Sequence, residues 1–129
     1  MSETTTTARS AITWFQIPTA DYDRARRFYE TILETTLREE NFGSGRLAIF
    51  PYEEHGMGGG LAEKSDWQPG AGGTVVYLDV NGRLDRTLER VASAGGHVAL
   101  PKVELPHGIG WVAHIIDSEG NRIGLHAHS

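Results

Sequence analysis

Cysteine is absent from this chain of 129 residues, and so are long hydrophobic runs and an excess of basic charge. Without cysteine there is no disulfide, no thiolate nucleophile and no zinc–cysteine site, which fits a reducing compartment, and we expect a cytoplasmic protein. The apolar runs are far too short to cross a bilayer, so we expect no membrane partner. The net charge is -5, whereas binding to a phosphate backbone needs a basic face, so nucleic acid is not expected as a partner either.

Motifs of two common enzyme classes are also missing. There is no G-x-S-x-G turn for a nucleophilic serine, and the glycines at 58–60 are followed by neither the lysine nor the helix that a phosphate loop requires. The composition, with 39% hydrophobic and 22% charged residues, is that of an ordinary globular domain. Residues 1–10 contain no apolar segment, so we expect a disordered tail there rather than a secretory signal.

One run, residues 12–33, combines a strand, a turn and an amphipathic helix. Its first six residues are mostly β-branched or aromatic, which favours a strand. A helix is predicted from about Asp21, because this residue can cap it and because the apolar positions that follow recur at helical spacing. The face of the helix that carries them is expected to pack on the sheet.

Side chains alternate along the first predicted strand, so its residues divide between two faces. If Phe15 and Ile17 meet the helix, Trp14 and Gln16 face the far side of the sheet. Gln16 is then a polar group whose amide can orient a carbonyl of a ligand.

The same order of elements is predicted twice. Three further strands are predicted at 36–42, 46–52 and 57–63, then a strand and a helix at 74–94 with Asn81 as the cap, and then strands at 97–103, 109–116 and 122–126. YDRARRFY in the first helix also matches LDRTLERV in the second, which indicates an internal repeat. We therefore predict two βαβββ modules, 11–63 and 74–129, joined by a polar, glycine-rich linker at 64–73 into one compact domain. Pairing of the modules would enclose a shared cavity.

In these segments the chain resembles the vicinal oxygen chelate superfamily, which includes glyoxalase I, bleomycin resistance proteins and extradiol dioxygenases. The resemblance rests on ITWFQIPTADYDRARRFY, on TVVYLDV with LDRTLERVASAGG, and on HIIDSEGNRIGL, and it extends over residues 11–127. It implies an α+β fold in which two βαβββ modules form a curved, incomplete barrel. It also implies a homodimer, and whether the modules pair within one chain or swap between two chains stays open.

The metal enzymes of this superfamily carry His, Glu or Gln ligands on the first, fourth, fifth and eighth strands, and the resemblance implies where those positions fall. The first is Trp14, the fifth lies within residues 73–76, and the eighth is Gly124, so none of these three offers a ligand. Glu63 stands near the fourth position, and His126 shares a face with Gly124. Since a catalytic site normally needs three protein ligands, we predict a protein without a metal cofactor, with a divalent metal held by Glu63 and His126 as the alternative.

The first functional hypothesis is a small-molecule binding protein that holds a planar or apolar molecule between aromatic walls, as in sequestration of a toxic compound. The predicted ligand-binding residues are Trp14, Gln16, Phe50, Tyr52, Met57, Trp111, His114 and His126. The alternatives are a metal-dependent lyase, isomerase or dioxygenase that uses Glu63, His114 and His126, and a protein whose cavity is filled by its own side chains. His114 is the candidate for acid–base catalysis, although a histidine on an apolar strand is also a common structural residue.

Overall fold

The computed structural model describes residues 12, 14–42, 45–54, 56–63 and 68–129; the predicted tail and linker residues 64–67 lie outside the described part. The elements in chain order are β1 (Trp14–Pro18), α1 (Tyr22–Leu33), β2 (Arg38–Phe42), β3 (Gly45–Ile49), β4 (Gly58–Ala62), β5 (Tyr77–Asp79), α2 (Leu84–Ala94), β6 (His97–Leu105), β7 (Gly110–Ile116) and β8 (Arg122–Ala127). This is the predicted βαβββ order, found twice. It confirms the α+β class.

The eight strands form two sheets with the same internal arrangement. The strand orders are β1-β4-β3-β2 and β5-β8-β7-β6. In each sheet the first and last strands of the module pair in parallel, and the other neighbours pair antiparallel. Within the described residues no strand ladder joins the two sheets, so the barrel is incomplete, as expected.

The first helix begins where the sequence predicts. Asp21 is the N-cap, and its side chain accepts a hydrogen bond from the backbone N–H of Arg24 at 3.0 Å. Such a bond satisfies one of the free N–H groups of the first turn. The helix ends at Glu34, which has a left-handed backbone with φ of 54°.

Two predictions about the second module are wrong in detail. The N-cap of α2 is Arg83, not Asn81, and it has no capping side-chain bond. Asn81 lies in the preceding turn, where its side-chain oxygen accepts from the backbone N–H of His128 at 2.7 Å. The strand predicted over residues 74–80 is reduced to β5, because only residues 77–79 pair with β8.

Both modules contribute to one hydrophobic core, which lies between the helices and the sheets. Phe28 and Tyr29 of α1 are buried in the same cluster as Ile115 and Leu125 of the second sheet. The Tyr29 hydroxyl also donates to Asp117 at 2.6 Å. Neither helix is long and apolar enough to span a membrane, and this holds for the part of the chain that the structure describes.

Candidate functional site

Alternation along β1 gives the first sheet its two faces. Ile17 is buried in the core, and Phe15 lies on the same side, where its ring stacks on Phe50 with the ring centroids 5.8 Å apart. Trp14 and Gln16 therefore point to the far face of this sheet, as predicted. Trp14 is 39% exposed there.

A cavity of about 480 Å³ lies between the two modules. The side chains of its wall are mostly apolar and come from β1, from the loop before β4, from the C-terminal end of α1 and from β5. The lining residues are Phe15, Leu33, Glu34, Thr35, Phe50, Pro51, Met57, Gly58, Gly59, Tyr77, Leu78, Asp79 and Arg83. A cavity of this size is typical of small-molecule sites.

Glycines of β4 leave room for the aromatic rings at this cavity. A Cβ atom on Gly59 would collide with the ring of Phe15, so that ring lies directly over the backbone of β4. A Cβ on Gly58 would come within 2.9 Å of Trp14 and 2.8 Å of Tyr52. The glycines are therefore needed for the packing of the rings, and this explains their clustering in a strand, where glycine is otherwise unfavourable.

Charged groups occupy one edge of the cavity. The Arg83 guanidinium donates to the carbonyl of Leu33 at 3.1 Å, which bridges the end of α1 to the start of α2. Glu34 pairs with Arg86 at 2.7 Å. Asp79 accepts from the backbone N–H of Asn81 at 2.9 Å. The cavity thus combines an aromatic wall with a polar rim.

On the far face of the second sheet, three polar side chains form a chain of hydrogen bonds. Tyr77 of β5 lies 2.7 Å from Nε2 of His114 on β7, and Arg122 of β8 lies 3.0 Å from Nδ1 of the same ring. The ring of Tyr77 lies over Gly124, where a Cβ atom would collide with it. Burial lowers the pKa of His114, and the positive charge of Arg122 lowers it further, which favours the neutral imidazole.

The expectation that Trp111 faces the cavity is corrected by the structure. Trp111 packs against the core on the helix side of the second sheet. Lys102 lies over its ring at 5.0 Å and pairs with Asp85 of α2. Trp111 and His114 are an odd number of residues apart in β7, so alternation assigns them to opposite faces.

The other predicted residues are distributed over several places. Phe50 and Met57 line the cavity between the modules, whereas Gln16 lines a smaller one of about 220 Å³ together with Arg122. Tyr52 packs edge-on against Trp14 at a centroid distance of 6.0 Å, and it lines a separate cavity of about 540 Å³ together with Phe50.

The C-terminal histidines are held by the second sheet. Nε2 of His126 lies 2.8 Å from the carbonyl of Ile109, so this nitrogen carries a proton and donates. The ring of His128 packs edge-on against that of His126 at 4.9 Å. The His126 side chain is therefore hydrogen-bonded to the turn before β7.

Glu63 and His126, the two residues of the alternative metal site, are each engaged elsewhere in the described structure. Glu63 lies beyond the end of β4, where it pairs with Arg46 at 2.7 Å. A hydrogen bond from Arg46 holds the pKa of Glu63 below its usual range. No group of three His, Asp or Glu side chains that could hold a metal ion exists among the residues that the structure describes.

Tyr77, Arg83 and Arg122 are site residues that the sequence analysis missed. The signal for Tyr77 was present, because alternation in TVVYLDV separates it from the core residue Leu78 just as it separates Trp14 from Phe15. Arg83 has no such signal, since its position depends on where α2 begins.

The family model of the Glyoxalase/Bleomycin resistance protein/Dioxygenase superfamily matches residues 11–125. The chain belongs to this superfamily. Its resemblance to glyoxalase I and the bleomycin resistance proteins is thereby confirmed at the level of family and fold, and a search of curated proteins gave no match that would narrow it.

Solved structures of the glyoxalase/bleomycin resistance fold cover nearly the whole chain. A glyoxalase/bleomycin resistance protein from Albidiferax ferrireducens has a TM-score of 0.69 at 16% identity, over 92% of this chain and 98% of that one. TnmS3, an antibiotic binding protein from a Streptomyces species, has a TM-score of 0.66 at 24% identity, over 96% and 100% of the two chains. UcmS2 has a TM-score of 0.63 at 25% identity, over 92% and 98%.

Proposed function

We propose that this member of the superfamily is a metal-free binding protein that holds a small planar or apolar molecule in the cavity between its modules. The observation that carries the proposal is the cavity of about 480 Å³ with Phe15, Phe50, Met57 and Tyr77 in its wall. A largely apolar pocket with a few polar groups at its edge is the usual form of a small-molecule site.

The shape of the wall favours a flat ligand. Phe15 and Phe50 stack at 28° to each other, and the ring of Phe15 lies over the glycine backbone of β4. Flat aromatic surfaces gain most from ligands that can lie against them. The polar rim at Asp79 and Arg83 then meets the edge of the ligand rather than its faces.

Sequestration of an antibiotic or another toxic compound is the activity that this arrangement best supports. Binding without chemistry needs neither a nucleophile nor a metal, and the positions of Trp14, Gly124 and Glu63 supply no set of three ligands. The likeness to TnmS3, an antibiotic binding protein, supports the same activity. A cytoplasmic location belongs to the proposal and agrees with the absence of cysteine.

Equilibrium dialysis with fluorene, a rigid uncharged aromatic hydrocarbon, tests this proposal. We expect saturable binding of one fluorene per chain. Met57→Trp should weaken it about tenfold by filling the cavity, while Met57→Leu, which keeps the volume, should bind like the wild type. Met57 is 45% exposed, so both variants are expected to fold. Absence of saturable binding, or equal binding by the two variants, would contradict the proposed site.

A further inference from the structure

The free edge of β5 forms part of the wall of the cavity between the modules. Tyr77, Leu78 and Asp79 all line this cavity, although alternation places the side chain of Leu78 on one face of the sheet and those of its two neighbours on the other. Three consecutive residues of a strand line one cavity when the cavity lies beside the edge of that strand. The other edge of β5 is paired with β8, and none of the lining residues belongs to β8. The edge that meets the cavity is therefore the free one.

The side chains of Tyr77 and Asp79 have partners outside this edge. The ring of Tyr77 lies over Gly124 of β8, and its hydroxyl is 2.7 Å from Nε2 of His114 on β7. One carboxylate oxygen of Asp79 accepts from the backbone N–H of Asn81 at 2.9 Å, in the turn after β5. The main chain of β5 is thus the polar surface that remains beside the cavity.

The ladder between β5 and β8 determines which main-chain groups are paired. The carbonyl of Val76 accepts from the N–H of Gly124 at 2.8 Å, and the N–H of Val80 donates to the carbonyl of His126 at 2.9 Å. In a parallel ladder every second residue of a strand directs both its N–H and its C=O to the same neighbouring strand. Leu78, midway between Val76 and Val80, therefore pairs with β8 as well.

The N–H and C=O groups of Tyr77 and Asp79 consequently point away from β8, toward the cavity. Within the described part of the chain, none of these four groups has a hydrogen-bond partner. The carbonyl of Tyr77 and the N–H of Asp79 are neighbours on the edge, so they form one acceptor–donor pair. A molecule that carries an N–H beside a C=O can bond to both groups at once.

The length of the edge favours a small molecule over a peptide. The strand β5 has three residues, and very short edge strands resist the addition of a second strand. The edge of a lactam ring is only one N–H and one C=O long, which three residues can match. The stacked rings of Phe15 and Phe50 in the same wall suit a planar ring system fused to that lactam.

We propose that the free edge of β5 binds the polar edge of the ligand, and that the cavity thereby selects planar lactams. The ligand N–H donates to the carbonyl of Tyr77, and the ligand carbonyl accepts from the N–H of Asp79. This inference rests on the proposed binding function and specifies its ligand class.

Phenanthridinone, its N-methyl derivative and phenanthrene test the selection, because they share one flat three-ring skeleton. Phenanthridinone has the adjacent N–H and C=O, the N-methyl derivative lacks the N–H, and phenanthrene lacks both groups. In equilibrium dialysis we expect the wild type to bind phenanthridinone about tenfold more tightly than either of the others, within the range of two net hydrogen bonds. A preference below about threefold over either compound is less than these bonds supply and would overturn the proposal.

Two variants at position 79 test the contribution of the backbone N–H. Asp79→Pro removes this N–H, and proline is tolerated in an edge strand where its nitrogen faces away from the ladder. Asp79→Ala is the reference, because it also lacks the carboxylate but keeps the N–H. We expect Asp79→Pro to bind phenanthridinone about fivefold more weakly than Asp79→Ala does, the cost of one hydrogen bond, while the two bind phenanthrene alike. Equal affinity of both variants for phenanthridinone would overturn the proposal.

Amide hydrogen exchange in the wild type tests the same edge even if Asp79→Pro does not fold. In the free protein the N–H of Leu78 should exchange slowly, because it is bonded to β8, whereas the N–H of Asp79 should exchange fast. Saturating phenanthridinone should slow the exchange of Asp79 more than saturating phenanthrene does, since only the lactam accepts from this N–H. Slow exchange of Asp79 in the free protein, or equal protection by the two compounds, would contradict the assigned contact.

The outcomes separate this inference from the function on which it rests. Binding of phenanthrene without a preference for phenanthridinone would overturn the inference and leave the proposed function standing. Failure of all three compounds to bind would instead refute the proposed function, and the selection of lactams would fall with it.

Discussion

At the scale of single residues, two glycines on the far faces of the sheets have opposite surroundings. A Cβ on Gly60 would lie 2.5 Å from the backbone oxygen of Ala48 on the adjacent strand. A Cβ on Gly124 would instead meet the ring of Tyr77, a half-exposed side chain. A backbone carbonyl within a sheet cannot move without breaking its ladder, whereas a surface ring can turn away.

Replacing each glycine by alanine should therefore give different results. Gly60→Ala is expected to lower the free energy of unfolding by about 2 kcal/mol, as overpacking does. Gly124→Ala should cost less than Gly60→Ala, because the half-exposed ring of Tyr77 can turn aside and thereby move away from His114. Urea denaturation measures both losses of stability. Equal losses of stability would show that the ring of Tyr77 is as rigid as the backbone.

At the scale of elements, the start of α1 is held by an acid from the other module. The Glu119 carboxylate accepts from the backbone N–H groups of Ala20 and Asp21 at 2.9 and 2.7 Å, and from Arg24 at 2.8 Å. Its side chain is fully buried. Burial raises the pKa of Glu119, but the bonds from Arg24 and the backbone outweigh it and leave the pKa below the usual value.

Glu119→Gln is expected to destabilise the protein by about 2 kcal/mol at pH 7, as loss of a hydrogen-bonded charge does. Because the folded-state pKa is lowered, the charged carboxylate stabilises the fold above the unfolded pKa, and this contribution is lost as the pH falls through the folded pKa. The difference in the free energy of unfolding between the wild type and Glu119→Gln should therefore become smaller as the pH falls below about 4.5, the ordinary pKa of a glutamate side chain. Urea denaturation between pH 3 and 7 measures this difference in the free energy of unfolding.

Glu89→Gln, on the exposed face of α2, serves as the control. A difference between the wild type and Glu119→Gln that does not change with pH would contradict stabilisation by the Glu119 carboxylate.

The sequence predicts most elements and the faces of β1, because those depend on local periodicity and caps such as Asp21. It does not predict the contact of Glu119 with the start of α1, since these residues are nearly a hundred positions apart in the chain. The face of Trp111 follows from alternation along β7, because Trp111 and His114 are three positions apart and so lie on opposite faces. The cavity itself depends on how the two modules meet, which no local pattern specifies.

At the scale of the whole molecule, the two modules share one core, and we propose that they unfold as one unit. Ala48 of β3 and Ala113 of β7 are fully buried in the same cluster. We expect their amide NMR signals to disappear with the same midpoint in urea, since residues of both modules are buried in one core. Two separate midpoints would show that the modules unfold independently.

Apolar side chains along β6 remain exposed in the single chain, and we propose that a second copy covers them in a homodimer. Val98, Leu100 and Val103 are 41%, 37% and 44% exposed. Pro101 and two register shifts make β6 a poor edge for strand addition, so contact through side chains is favoured.

Light scattering after size-exclusion chromatography should give twice the chain mass of 14.1 kDa. Val103→Glu should shift the protein to the monomer, because a carboxylate in an apolar interface is unpaired. Ser93→Glu, on the exposed surface of α2, should leave the mass unchanged. A wild-type monomer at micromolar concentration would refute the dimer.

Methionine NMR tests whether the cavity between the modules binds a planar apolar molecule. Met57 lines the cavity, and its signal is assigned by its loss in Met57→Leu. In protein labelled with ¹³C-methyl methionine, fluorene should shift the Met57 signal saturably, with the dissociation constant that dialysis gives. No saturable shift of the Met57 signal would contradict binding in this cavity.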